Sequence, residues 1–361
     1  MHKRDFLKHL LGGSAALALD LPTWLAAKPV PGRHYVWAHT RPDWDRDRWQ
    51  RELEHLQKVG FRGVMMGGSP ETLAMVVQAA QAVEMEVHAW TWTLNQPGEV
   101  DLRTSHPEYF SLSRSGKSCA SDPPYVDYYR WLCPSREPVR ALLREKMDRL
   151  ARVEGLSSIH LDYVRHPDVI LPIALQPKYE LVQDQEYPDF DFCYCEVCRE
   201  RFMAQGGEDP MQMDDPTQDE AWRAYRWQAV SEVVGEIAEV VHARGLDLTA
   251  AVFPTPRLAR QLVRQAWDTW PLQGVYPMLY QNFYNEDLRW IRESVRAGRR
   301  ALTDGQDLFA GLFLPALPPE DLGRAIRLAR KGGASGVSLF DLKGISDAHW
   351  PVIQAAFADW A

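Results

Sequence analysis

From about residue 34 onward the chain alternates short apolar runs with longer segments whose apolar positions recur every three or four residues. These are the signatures of buried strands and amphipathic helices. Strands are predicted over 34–40, 63–67, 86–94, 158–164, 248–253, 274–280, 308–313 and 336–340. Helices are predicted over 46–59, 71–83, 137–153, 220–244, 258–267, 286–297, 319–331 and 347–360. Pro138 falls in the first turn of its helix, where proline is tolerated. Two long stretches interrupt the rhythm, to about residue 135 after the third strand and over 166–219 after the fourth. Most of the strands are apolar on both faces, as expected when helices cover a sheet on each side. Eight strand–helix units predict an α/β fold, a (β/α)8 TIM barrel with long insertions after strands 3 and 4. A doubly wound open sheet is the alternative, but the first strand ends His39-Thr40-Arg41-Pro42 without a glycine-rich phosphate loop.

In such a barrel the chemistry gathers where the strands end. The polar residues there include His39, Asp43, Ser69, Thr255, Arg257 and Lys343 beside the candidates discussed below. The fourth strand is the most informative. In Ser158-Ile159-His160-Leu161-Asp162-Tyr163-Val164-Arg165-His166-Pro167 a carboxylate stands near the end of a largely apolar strand. Such an Asp would be partly buried and aimed at the mouth. Arg165 would keep it ionised, as a nucleophile or electrostatic stabiliser requires, or the two would form an ion pair that caps the strand. Strand alternation puts His160 and Asp162 on one face and Leu161 and Tyr163 on the other.

The segment His160-Leu161-Asp162-Tyr163-Val164-Arg165-His166-Pro167 resembles the G-I-H-L-D-Y-I-R-Y-P strand of the glycosyl-hydrolase-like (family-10-like) TIM-barrel group. Trp131-Leu132-Cys133-Pro134-Ser135, His88-Ala89-Trp90-Thr91-Trp92-Thr93-Leu94-Asn95 and Pro277-Met278-Leu279-Tyr280 resemble further segments of that group. His166 stands where the pattern usually has Tyr, and Ser157-Ser158 replaces Asp-Gly. The resemblance runs from about residue 34 to the C-terminus and implies a glycoside hydrolase. Such an enzyme normally uses two carboxyl groups, about 5 Å apart for retention or roughly 6.5–9.5 Å apart for inversion. Asp162 is the first, as nucleophile or general base, with Arg165 holding its charge state. Asp341, after the apolar run 336–340, is the candidate acid, although Lys343 could simply pair with it. Glu180, Glu186 and Glu286 are further possibilities. Trp90, Trp92, Asn95, Tyr163, Tyr280 and Asn282 are candidate sugar contacts, or else core and turn residues.

Five cysteines add a second site. Cys193-Tyr194-Cys195-Glu196-Val197-Cys198 packs three thiols too close in sequence to pair readily with one another. Tetrahedral zinc takes four ligands, and Cys133 or Cys119 could supply the fourth. The run 192–202 resembles the C-Y-C-x-x-C-R-x-x-F segment of the same barrel group, and family 42 β-galactosidases carry a comparable three-plus-one cluster. The resemblance favours Cys133, Cys193, Cys195 and Cys198 as ligands of a structural zinc pinning the strand-four insertion. Four thiolates would leave no open position for catalysis. Disulfides in an oxidising compartment are the rival, and an odd number of cysteines would leave one thiol free.

Composition narrows the partners. The 361 residues include 41 basic and 49 acidic side chains, a net charge of −8 that argues against nucleic acid. No apolar run reaches the roughly 18 residues of a membrane span, so no stable membrane insertion of the mature chain is expected. Fourteen Trp, 13 Tyr and 12 Phe suit a groove that stacks the flat faces of sugars, or a large aromatic core. Lys3-Arg4-Asp5-Phe6-Leu7-Lys8, the apolar stretch 10–19 and Ala16-Leu17-Ala18 have the layout of an export signal, similar to a twin-arginine signal with Lys in place of the first Arg. The expected organisation is therefore a signal over 1–28 and a catalytic barrel over 29–361, in a periplasmic or extracellular protein acting on a carbohydrate. A non-catalytic glycan-binding barrel is the alternative.

Overall fold

The computed structural model describes residues 31–360; the expected export signal over 1–28 lies outside them. Eight parallel strands close into a barrel in sequence order: β1 (Tyr35–Ala38), β2 (Gly63–Met66), β3 (Glu86–Trp92), β4 (Ser158–Asp162), β5 (Asp247–Val252), β6 (Gly274–Pro277), β7 (Asp307–Phe313) and β8 (Gly336–Phe340), with β8 pairing back onto β1. The outer helices are α1 (Arg46–Val59) and α2 (Pro70–Gln81), then α4 (Glu137–Ala151) and α6 (Glu220–His242), then α7 (Pro256–Val263), α8 (Arg289–Ala301), α9 (Pro319–Gly332) and α10 (His349–Ala358). Two short helices, α3 (Val100–Ser105) and α5 (Glu196–Ala204), lie in the insertions that the sequence leaves without elements. The (β/α)8 barrel is thus as expected. Several helices begin where a side chain captures a free N–H: Asp45 accepts from Arg48, Ser69 from Thr72, Asp219 from Trp222 and Thr255 from Leu258. Ser69 and Thr255, two of the rim candidates, are therefore helix caps.

Strand alternation divides the core in two. Outward residues such as Val36, Val64, Leu161 and Leu339 pack under the helices. Inward residues such as Tyr35, Trp37, Met65, Trp90, Tyr276 and Phe309 fill the barrel. Low in the interior is a polar chain. The Tyr35 hydroxyl donates to Glu86 Oε2 at 2.9 Å, His88 Nε2 lies 3.3 Å from the same oxygen, and Ser158 Oγ is 2.6 Å from His88 Nδ1. His160 Nδ1 is bonded to Thr249 Oγ1 at 2.9 Å, and its ring packs edge-on to Trp37 and Tyr276. Burial holds the His160 imidazole well below its ordinary pKa, so it is a neutral packing residue one layer beneath Asp162.

The insertion after β4 is anchored by charge as well as by packing. Asp191 sits between Arg226 of α6 and Arg264 just after α7, with Arg264 Nε 3.2 Å from Asp191 Oδ1; Arg264 also pairs with Glu186, and all four side chains are buried. Glu186, one of the candidate second carboxyls, is consumed in this cluster.

The β1–β8 closure leaves no room for a side chain at Gly336. A Cβ on Gly336 would lie 1.5 Å from the backbone oxygen of Arg33. No rotamer can relieve a clash with backbone. Gly336→Ala is expected to destabilise the fold by at least about 1–3 kcal/mol, the usual cost of overpacking. Urea titration checks this, and an unchanged midpoint would contradict the closure geometry.

Candidate active site

The C-terminal mouth of the barrel holds a cavity of about 420 Å³, within the range of small-molecule sites. Asp162 lies at its floor. The β3–β4 ladder puts Trp92 directly beside Asp162, with Trp90 one layer deeper next to His160. Trp90 Nε1 donates to Asp162 Oδ2 at 3.0 Å, and the backbone N–H of Tyr163 donates to Oδ1 at 2.7 Å. Burial pushes this carboxyl above its usual range; the Trp90 and Tyr163 hydrogen bonds and the Arg165 charge offset that only in part.

Arg165 does not serve Asp162 in the expected way. Its guanidinium is buried against Trp131, Tyr163 and Phe253, and it pairs with Asp168 at 3.1 Å. Asp168 Oδ2 also accepts from the Tyr129 hydroxyl at 2.9 Å. Its Oδ1 makes no hydrogen bond among the described residues. Asp168 lines the cavity and was not singled out from sequence. It follows Arg165 by three positions, after a proline that ends the strand, and that short Arg–Asp spacing was the available signal.

The Asp341 side chain is engaged at the edge of the mouth. It is not among the residues lining the cavity. Its Oδ1 accepts from the N–H of Gly344 at 3.1 Å, capping a short turn, and its Oδ2 is 3.5 Å from His39 Nε2. His39 does line the cavity and packs edge-on to Trp90. The position after β8 is thus near the mouth, but the side chain is drawn to the turn and to His39. Glu286 and Glu180 are exposed and outside the lining.

Four of the six candidate sugar contacts come together on the wall: Trp90, Trp92, Tyr163 and Tyr280. Tyr163 does so against strand alternation. Its φ of 48° turns the chain at the end of β4 and brings its ring 4.5 Å from that of Trp92. Asn95 is displaced from the site: it is fully buried, and its Oδ1 accepts from the backbone N–H of Arg130 at 2.8 Å, tying down the insertion after β3. Asn282 is exposed on the turn after β6 and outside the lining. The insertions add aromatic residues that periodicity could not assign, notably Tyr125, Tyr128, Tyr129 and Tyr179. The first three form a dense Tyr run in the loop, which was the legible hint.

Beneath this wall, the Sγ atoms of Cys133, Cys193, Cys195 and Cys198 all lie within 4.8 Å of one another and are buried. Cys133 Sγ is 3.4 Å from Cys198 Sγ and 3.6 Å from Cys195 Sγ. The backbone N–H of Leu112 points at Cys193 Sγ at 3.2 Å. Hydrogen bonds from Cys133, Cys193 and Cys198 draw the Cys195 thiol below its ordinary value. All five cysteines are free thiols, and Cys119 lies outside the cluster. The four buried cysteines are close enough together to bind a metal, and they join the end of the β3 insertion to the middle of the β4 insertion.

No protein-family profile matches the chain, and no curated sequence matches it. Among solved structures, the chain is similar to the catalytic domain of β-amylase from Paenibacillus polymyxa, with a TM-score of 0.64 at 10% identity over 91% of this chain and 98% of that one. It is also similar to an α-galactosidase from Thermus thermophilus, with a TM-score of 0.52 at 9% identity over 91% of this chain and 62% of that one. A third similar structure is the GH36 α-galactosidase AgaB from Geobacillus stearothermophilus, with a TM-score of 0.51 at 9% identity; this chain covers 41% of it. The chain therefore spans less than half of that enzyme and somewhat under two thirds of the Thermus one. At these identities the likeness is one of fold, and the fold it establishes is the (β/α)8 barrel.

Proposed function

We propose that the chain is a glycoside hydrolase whose proton-carrying group is Asp162. The observation that carries this reading is a carboxyl raised by burial at the floor of an aromatic-walled cavity, at the mouth of the barrel. A carboxyl whose pKa is raised by burial is shifted in the direction of a general acid rather than of the nucleophile or base expected from sequence. In hydrolysis, Asp162 gives its proton to the leaving oxygen as the glycosidic bond breaks and that oxygen keeps the bonding pair. Water supplies the new bond to the anomeric carbon. Asp168 is the second carboxyl on the wall, and its free Oδ1 is suited to take the proton of that water or to face the cationic transition state. Trp92, Tyr163 and Tyr280 offer ring faces to the sugar. The similar barrels bear the names of sugar-cleaving enzymes, and the Thermus α-galactosidase was solved with p-nitrophenyl α-D-galactopyranoside.

The cysteine cluster fits zinc. Four Zn–S bonds of about 2.3 Å in a tetrahedron put sulfurs about 3.8 Å apart, close to the separations here. Bound by Cys133, Cys193, Cys195 and Cys198, zinc would supply cross-linking and no open coordination position. Export to the periplasm or beyond remains our reading of residues 1–28.

A non-catalytic glycan-binding barrel is the second reading. It is favoured by the withdrawal of Asp341 from the cavity and by the engagement of Asp168 with Arg165 and Tyr129. Reducing-end release from a panel of polysaccharides and aryl glycosides separates the two. Wild type should cleave at least one substrate, and folded Asp162→Asn should lose about 10²–10⁴-fold of that activity. Binding without cleavage by either protein would move the second reading ahead.

A further inference from the structure

The hydrogen-bonding capacity of the cavity is lopsided. Its carboxylate oxygens are mostly engaged: both oxygens of Asp162 accept hydrogen bonds, and Asp168 Oδ2 accepts two. Its donors are largely free. Among the described residues, the Trp92 indole N–H and the hydroxyls of Tyr179, Tyr280 and Tyr284 make no hydrogen bond within the chain, and all four residues line the cavity. The Trp92 N–H can only donate and so calls for an acceptor on the ligand, and the three hydroxyls can each donate to a further one.

Charge is lopsided in the same sense. Arg165 is cancelled by Asp168 at 3.1 Å. The second cation on the wall is Lys178, on the turn Gln176–Tyr179 of the β4 insertion. No carboxylate of the described residues lies within 4.0 Å of its ammonium, which instead stands 5.4 Å from the centre of the Tyr179 ring. A lysine on an open surface is normally just solvated. Lys178 is exposed too, but it also lines the cavity, and a charge-assisted hydrogen bond from it to a ligand is roughly twice as strong as a neutral one.

Resting on the glycan reading above, we infer that the sugar bound here carries an anionic group, the carboxylate of a uronic acid or a sulfate ester, seated against Lys178. The group would bring oxygens to a wall that offers N–H, O–H and ammonium donors, and its charge would answer the unpaired cation.

Tryptophan fluorescence reads binding without turnover, because Trp90 and Trp92 line the cavity. The probes are matched pairs: trigalacturonate and its methyl ester, a glucuronate-containing disaccharide and its carboxyl-reduced form, and a 6-sulfated disaccharide and its desulfated form. At least one acidic member should bind about tenfold more tightly than its neutral partner. Lys178→Met should abolish that preference and Lys178→Arg should keep it. The uronate and sulfate arms identify which anion is taken. Equal or tighter binding of the neutral member in every pair overturns the inference and leaves the hydrolase reading standing. A preference that survives Lys178→Met also overturns it. Absence of binding by every acidic member also overturns the inference, and the hydrolase reading is then decided by the cleavage panel above.

Discussion

Asp191→Ala is expected to cost the fold about 3–5 kcal/mol, the price of leaving buried charge unpaired. Asp191 is fully buried and lies between two buried guanidiniums, Arg226 and Arg264, only one of which has another carboxylate partner among the described residues, Glu186. Burial alone would raise its carboxyl. The Arg226 and Arg264 charges outweigh that and hold it below the usual carboxylate range. The sign of the pH dependence follows. A carboxyl depressed in the folded state contributes stability that is present above its unfolded value, near pH 3.9, and is lost as pH falls towards the folded value. Urea midpoints measured from neutral to acid pH should therefore fall in wild type, and the Asp191-dependent part of that fall should vanish in Asp191→Asn. A variant as stable as wild type at neutral pH would contradict the ion cluster as an anchor of the insertion.

The second large effect concerns the thiols. Wild-type protein is expected to carry one tightly held zinc per chain, and Cys195→Ser is expected to lose it. Structural zinc contributes about 10–16 kcal/mol in isolated zinc-finger peptides. A smaller loss, on the order of several kcal/mol, is expected here because the closed strand ladder includes no residue of the insertions. The cluster joins Cys133, just after the Tyr125–Tyr129 wall, to Cys193–Cys198, beyond the Leu171–Tyr179 wall. Loss of metal should therefore loosen the aromatic pocket before the barrel melts. Metal analysis by mass spectrometry, with thermal unfolding monitored by tryptophan fluorescence, reads both. Cys119→Ser, outside the cluster, should keep the metal. A metal-free wild type purified from zinc-replete cells, with stability unchanged in Cys195→Ser, would contradict the assignment.

The barrel was readable because its signal is periodic. All eight strands and the outer helices lie within a few residues of their predicted positions, and β8 coincides with its predicted range. The misses have physical causes. The β4 prediction ran to residue 164, but the ladder ends at Asp162 and Tyr163 takes a positive φ that no periodicity encodes. β6 stops at Pro277, although Met278 and Leu279 still donate one bond each, to the carbonyls of Val252 and Gly311. The site was half legible. Asp162, Trp90 and Trp92 are fixed by strand register, and the four cysteines by motif and resemblance. Asp168, Lys178 and Tyr179, with the Tyr125–Tyr129 run, sit on insertions whose path is set by tertiary contacts, so sequence could not direct them into the cavity. Arg165 acts on Asp162 through its charge, while its ion pair is made with Asp168 three residues on.

The central claim is that Asp162 donates the proton to the leaving oxygen. Activity of Asp162→Asn on the glycan that wild type cleaves, set against a dinitrophenyl glycoside of the same sugar, tests it most directly. The dinitrophenolate leaves without a proton, whereas a sugar alkoxide does not. The account predicts a fall of about 10²–10⁴-fold in kcat/KM on the glycan and a much smaller fall on the dinitrophenyl glycoside. Equal losses on both substrates, or full activity on the glycan, would contradict it.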